Sequence, residues 1–398
     1  MHSIFRTFPL LAWLSVAACG SATAQKSAFA AASRSFTGPD GRLDYVAPLR
    51  TLLGQAAGYE PSSYTQALAT YFSFVGQTAS VPPSAGQNPA VAHRLAEVPA
   101  LVRARARATS VVLINEAHDQ PAHRAYCRQL LAQLAPLGYS YFAVEALNPA
   151  DTAIATRKYP VSASGFYTCE PVMGQLLRAA ADGGFHVFGH EITESQEREF
   201  ASFERRTSYR DSMQAVNILA VLRRHPGAKI VALVGYDHVL EKERDGVKRL
   251  ATYLHELAGI DPFTIDQTQG YRPATGPRAT HPQALITAGG HPATVGNNAG
   301  YVDLQIIHPA ATQLYGRPNW LFATAGAPPT TQAIPRAHWG QPCLAQLFDA
   351  QEYRRHGDRA IPLDQCLTRA AQREVRLFAY KPARSVVVKY RPATLPSH

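Results

Sequence analysis

Short apolar runs recur through the middle of the chain, and each is closed at once by polar groups able to do chemistry. Residues 111–114 run into Asn115, Glu116 and His118, residues 141–144 into Glu145, residues 185–188 into His190 and Glu191, and residues 230–234 into Tyr236, Asp237 and His238. Runs of this length fit strands, and the unbroken one at 230–234 fits a strand buried on both faces. Between the first two runs, Tyr126, Leu130, Leu134 and Leu137 share one helical face, with Asp119 placed to cap, Pro121 in the first turn and Gly138 as the stop. A β-α-β unit is predicted there.

The alternation continues. Helices are predicted at 172–182, at 194–224 and at 242–257, and a strand at 263–265. Within 194–224 the residues Met213, Val216, Leu219 and Leu222 form a stripe after Arg210 and Asp211. The pattern predicts an α/β fold, a mostly parallel sheet with helices on both faces and right-handed crossovers, and ligands in such sheets bind beyond the carboxyl ends of the strands. This core is assigned to 108–270. Before it, 25–107 reads as an N-terminal helical extension with a helical patch at 64–75 and a loose stretch at 81–89; after it come a loop or linker at 271–300 and a small α+β addition at 301–398, with strands at 302–307, 320–323 and 386–390 and a helix at 343–353.

Composition adds an address. His2 and Arg6 precede an apolar stretch at 8–18, too short to span a bilayer and suited to a secretory signal, so 1–24 is read as a signal peptide. Ala22-Thr23-Ala24 suits ordinary cleavage, whereas the stretch ending in Cys19 resembles a lipobox; the product is periplasmic, secreted or an outer-membrane lipoprotein anchored to the envelope through lipidated Cys19. Four cysteines remain, and in an exported chain they fit either disulfides, Cys127 with Cys169 and Cys343 with Cys366 in the nearest sequential pairing, or free buried thiols. The charge of +10 is spread in short groups without RNA-type aromatic motifs, which reads as solvated surface and points away from nucleic acid, with anionic lipid or envelope polymers as the alternative.

In a parallel sheet, Glu116, His118, Glu145, His190, Glu191 and His238 would all project from one edge. Gathering carboxylates and imidazoles there is electrostatically wasteful unless a ligand or reaction uses them. Two mechanisms fit. Either His118 and His238 with Glu116 or Glu145 hold a divalent metal that activates water, or a histidine takes the proton from water while a glutamate orients it and Arg210 stabilises the oxyanion. GxSxG, GxGxxG, P-loop and HExxH patterns are absent from the sequence.

The stretch 115–123, with Glu116, His118, Asp119, Pro121 and His123, resembles the GExHDxPxH signature of the ChaN-like haem-binding lipoproteins. The pair Asn115-x-x-His118 and Gly235-x-x-His238 is similar to the two GxxH motifs of the superfamily that joins them with Tiki/TraB metalloproteases and erythromycin esterases, and Glu145 and Arg210 stand where that superfamily has a glutamate and an arginine. The resemblance covers about 109–265. It implies a site of Glu116, His118, Glu145, His238 and Arg210 and an exported hydrolase acting on a small-molecule or peptide substrate. The alternatives are a haem or iron carrier, with His123 and Tyr236 as candidate cofactor contacts, and a non-catalytic interaction module. Asn115 departs from the motif's glycine, and no tyrosine aligns with the haem-ligating one.

Overall fold

The computed structural model describes residues 27–77, 93–270, 280–382 and 385–396; the signal segment with Cys19 and the loose stretch at 81–89 lie outside these. Contacts divide the chain into two units. Of the described residues, one comprises 27–77, 160–175, 313–382 and 385–396, the other 93–159, 176–270 and 280–312.

The second unit holds an eight-stranded sheet: β1 His93–Ala96, β2 Val111–Glu116, β3 Tyr139–Val144, β4 His186–Gly189, β5 Lys229–Gly235, β6 Phe263–Asp266, β7 Gln283–Thr287 and β8 Leu304–Ile307. Their order is β1-β7-β8-β6-β2-β5-β3-β4, with β7 antiparallel to both its neighbours and the remaining pairs parallel. The mixed α/β, mostly parallel class expected from sequence is therefore present. Every residue of β2 is buried, as a central parallel strand requires. From β2 the chain moves outward to β3 and β4, returns to β5 beside β2, then crosses to β6 on β2's other side. That reversal places a topological switch point at the carboxyl ends of β2 and β5, where open α/β sheets bind ligands.

Helix Pro121–Leu134 returns the chain from β2 to β3; Gln120, rather than Asp119, occupies its N-cap position, and no side chain caps it. Helix Phe203–Arg224 begins where the Ser202 side chain accepts from the Arg205 amide at 3.2 Å. Its buried face is Asp211, Gln214, Ala215, Ile218 and Leu219 rather than the stripe through Met213, Val216 and Leu222. Spacings of three and four residues, not of three alone, follow a 3.6-residue turn. This rotation turns Asp211 inward. Ile218 and Leu219 join Leu113, Ile230, Ala232 and Leu254 in one core, and each fully buried aliphatic side chain there contributes roughly 1.5–3 kcal/mol.

The other unit packs three helices, Ala28–Phe36, Ala47–Gly54 and Pro61–Phe74, with residues of the C-terminal segment in one apolar cluster that includes Phe36, Tyr71, Phe74, Leu344 and Ile361. Its three-stranded sheet is built from Cys343–Asp349, Asp364–Leu367 and Val386–Pro392. Two elements differ from the sequence-based expectation. Residues 343–349 are a strand, with the helix following at Ala350–His356, and 320–323 lie in the helix Asn319–Thr324. A third predicted helix, at 242–257, is confined to Leu250–Ala258. All four described cysteines are buried free thiols, which corrects the disulfide expectation: Cys366 sits opposite Ala345 on the neighbouring strand, two places out of register with Cys343. No helix among the described residues is long and apolar enough to cross a membrane.

Candidate active site

The carboxyl edge of the sheet brings together five of the predicted site residues, but in two differently wired groups. The first begins with Glu116, the last residue of β2, which is 2% exposed. Arg124, one turn into the following helix and fully buried, grips it with both prongs: Nε donates to Oε2 at 2.7 Å and Nη2 to Oε1 at 2.8 Å. Arg124 Nη2 also donates to the His118 carbonyl at 2.9 Å. Burial alone would raise the Glu116 carboxyl, but the Arg124 charge and the hydrogen bonds from Arg124 and His118 outweigh it and hold the group below its usual value. Glu116 in turn meets His118 Nδ1 at 3.2 Å. An ionised carboxylate only accepts, so Nδ1 carries the proton and Nε2 is the basic nitrogen of the neutral ring. The His118 side chain is 19% exposed, the more accessible imidazole of the two motif histidines.

The second group centres on Arg210. Its Nε donates to Glu191 at 3.1 and 3.0 Å, its Nη2 donates to Glu145 Oε1 at 2.5 Å and also to Glu191, and Gln214 adds a 3.1 Å bond to Glu191. Glu145 accepts a second bond at Oε2 from the Gly235 amide at 2.6 Å. His238 Nδ1 meets Asp211 Oδ1 at 2.6 Å, and its Nε2 stands 3.5 Å from Glu145 Oε1. Burial would lower this imidazole, yet Asp211 and Glu145 overcome it and raise it to about 10. Arg210 Nη1 lies 3.3 Å from the same Nε2, a distance that is a hydrogen bond only for the neutral ring. Flanked by two carboxylates, the imidazolium is the form the surroundings favour, and Arg210 and His238 are two cations held by Glu145, Glu191 and Asp211. Burial would likewise raise Glu145, but His238 and Arg210 hold it well below the ordinary carboxylate range.

Gly235 joins the two groups. A Cβ there would stand 2.8 Å from His118 Cε1, 2.9 Å from His118 Nε2 and 3.4 Å from Glu145 Oε2. Its backbone, φ −77° and ψ 155°, suits any residue, so the glycine of this motif is required by space and not by conformation. Asn115, the departure at the other motif, has room. Its amide donates to the Tyr236 carbonyl at 2.7 Å and to Asp266 at 2.8 Å, while its oxygen accepts from the Gln267 amide at 2.7 Å. The side chain thus pins the turn carrying His238 to the ends of β2 and β6.

Asp211, Arg124 and Asp266 were not selected as site residues from sequence, and Gly235 was read only as a motif position. Asp266 is fully buried and ends β6 on the same edge, which strand position alone could have flagged. His190, also fully buried, has no hydrogen-bond partner on either ring nitrogen among the described residues, and burial lowers it to about 4; it is a neutral neighbour of the charged group.

The expected metal set does not assemble. Among the described residues no group of three or more His, Cys, Asp or Glu is arranged to hold a metal ion, and the nominated Glu116 and Glu145 oxygens are already engaged by Arg124 and Arg210. Glu116 and Glu145 are partners of the Arg124 and Arg210 guanidinium groups, and the His118 and His238 rings meet the carboxylates of Glu116, Asp211 and Glu145. The candidates for haem fit no better. Burial and the Asp119 and Glu116 charges push the Tyr236 phenol up, away from a phenolate ligand, and His123 is buried with Nδ1 accepting the Ala117 amide at 3.1 Å.

No family model matches the chain, and no curated protein matches it. Solved structures with a distant likeness include the type III effector HopBA1, with TM-score 0.36 and 14% identity over 56% of this chain and 99% of that one. The ChaN of Campylobacter jejuni, described with cofacial haem binding, gives TM-score 0.36 and 9% identity over 53% and 91% of the two chains. The C-terminal region of Pasteurella multocida toxin, described with a thiol-protease-like catalytic triad, gives TM-score 0.32 and 13% identity over 43% and 24%.

Proposed function

We propose that the chain is a hydrolase in which His118 takes the proton from an attacking water while Glu116 fixes the tautomer of its ring. Arg210, part-exposed, and the imidazolium of His238 then stabilise the negative charge that develops on the substrate oxygen. The supporting observation is the chain of contacts Arg124–Glu116–His118, which commits a buried ionised carboxylate to orienting one partly exposed imidazole at the switch point of the sheet. A buried charge pair with no task other than stability is a weak device, since apolar residues of the same volume often serve as well. The water's proton passes to His118 Nε2 and its oxygen forms the new bond to the carbonyl or phosphoryl centre; the leaving group departs with the proton returned from His118.

The test is a panel of p-nitrophenyl esters and phosphate esters offered to the wild-type protein and to His118→Ala and His238→Ala variants whose folding is verified by circular dichroism. General-base loss is expected to lower turnover by about 10²–10⁴-fold in His118→Ala. Activity on the panel that both variants retain in full would overturn the proposal.

A further inference from the structure

Asp266, the last residue of β6, is fully buried, and its five hydrogen-bond contacts all come from uncharged donors. Oδ1 accepts from the Asn115 side chain at 2.8 Å and from the Thr268 amide and hydroxyl at 2.9 and 2.8 Å; Oδ2 accepts from Asn298 at 3.0 Å and from Gln305 at 3.2 Å. A carboxyl proton would find no acceptor among these contacts, so the donor set suits the carboxylate. Burying that charge beside neutral groups alone is costly, and an apolar side chain would fill the strand end without the cost. What the carboxylate does that an apolar group cannot is orient amides.

Each of the three side-chain amides it meets has its oxygen already taken by an N–H group. Asn115 Oδ1 accepts from the Gln267 amide at 2.7 Å, Gln305 Oε1 from the Val295 amide at 2.7 Å and Asn298 Oδ1 from Arg244 Nη1 at 2.9 Å. None of the three can turn over without setting donor against donor.

Two arms lead from Asp266 to consecutive residues. On the first, Asn115 Nδ2 donates to Asp266 and, at 2.7 Å, to the Tyr236 carbonyl. On the second, Asn298 holds Arg244, whose Nη2 donates to Asp237 Oδ2 at 2.7 Å. The arms close a ring of contacts on Tyr236 and Asp237, the first two residues of the short helical turn Tyr236–Val239 whose third is His238. Glycine at 115 would leave the first arm without its link, so Asn115 and the buried Asp266 account for each other.

We propose that Asp266 is a positioning residue for His238. Through Asn115, and through Asn298 and Arg244, it holds Tyr236 and Asp237 in place and so sets where the His238 ring meets Asp211, Glu145 and Arg210. Its effect on turnover rests on the hydrolase reading; its effect on the ring does not.

Proton–nitrogen spectra of full-length 15N-histidine-labelled protein read the ring directly, with His238 assigned by its absence in His238→Gln. The 2.6 Å contact with Asp211 places the His238 Nδ1 proton far downfield. Asp266→Asn sets a donor among donors and should move this resonance upfield. Arg244→Met cuts the second arm at a partly exposed side chain and should move it the same way by a smaller amount; it decides the matter if Asp266→Asn fails to fold. Val102→Ala, a buried change in the helix Val98–Ala106 and on neither arm, should lower stability and leave the resonance in place. Turnover on the best panel substrate should fall about 10–100-fold in Asp266→Asn, chiefly in kcat. An unmoved resonance in folded Asp266→Asn, or in Arg244→Met, overturns the assignment, as does an equal movement in Val102→Ala, which would make lost stability the cause. A wild type without activity, in which the resonance still moves as described, supports the assignment and counts against the hydrolase reading alone.

Discussion

Gly235→Ala is the smallest change that should disturb the site without removing any functional group. The new methyl would lie 2.8 Å from His118 Cε1 and 2.9 Å from Nε2, where ordinary carbon contacts begin near 3.4 Å. An overlap of about 0.6 Å cannot be absorbed by β5, which is hydrogen-bonded between β2 and β3, so the imidazole must move. Overpacking of this kind costs typically about 1–3 kcal/mol. Because His118 is tied to Glu116, its displacement stretches the 3.2 Å contact that sets the ring's tautomer. Guanidinium unfolding should show the stability loss, and turnover on the best panel substrate should fall by at least about ten-fold, more than a folded fraction reduced by that amount could explain. Alanine at 235 with unchanged stability and unchanged turnover would refute the reasoning. Since the Gly235 backbone is ordinary, no compensating gain from conformation is at issue.

Asp211→Asn removes the closest anion from His238. A folded-state value raised to about 10 means that this imidazolium's stabilisation is complete below the unfolded value near 6.5 and is lost as pH rises through about 10. The wild type should therefore lose stability, on the order of a few kcal/mol, across that alkaline window, and the variant should show a flatter profile in pH-dependent thermal melts. Arg124→Met strands the buried Glu116 carboxylate and should cost about 3–5 kcal/mol, part of which Arg124→Met with Glu116→Gln should restore in denaturant titrations. The four described cysteines are free and buried, with burial raising Cys169 to about 12, so reductant should leave the melting temperature unchanged and a thiol reagent should label Cys127, Cys169, Cys343 and Cys366 slowly in the native protein but fully in the unfolded one.

The edge of the sheet was legible because a parallel strand buried on both faces ends abruptly, and the residue after the apolar run must lie at the carboxyl end. Glu116, Glu145, Gly235 and Asp266 share that logic, and only the shortness of the run at 263–265 hid the last of them. Arg124 was not legible. In sequence it is one more polar residue in a first helical turn, and its burial follows from Glu116 lying beneath it. Asp211 was hidden by helix rotation: a stripe counted in threes drifts off the 3.6-residue period, and the face that meets the sheet is 211, 214, 215, 218 and 219. The segment at 343–349 is buried along all but its last residue, so it has no alternation to distinguish strand from helix. The joining of residues 27–77 with the C-terminal segment in one unit rests on contacts across nearly the whole chain, which local patterns do not carry.

The account rests on Glu116 holding His118 as the Nδ1-protonated tautomer, leaving Nε2 to accept the proton from water. Long-range proton–nitrogen correlation spectra of 15N-histidine-labelled protein, with His118 assigned by its absence in His118→Gln, observe this directly and need no substrate. The account expects a protonated Nδ1 and a bare Nε2 in the neutral ring, with that preference lost in Glu116→Gln. A neutral His118 protonated on Nε2 in the wild type would contradict it.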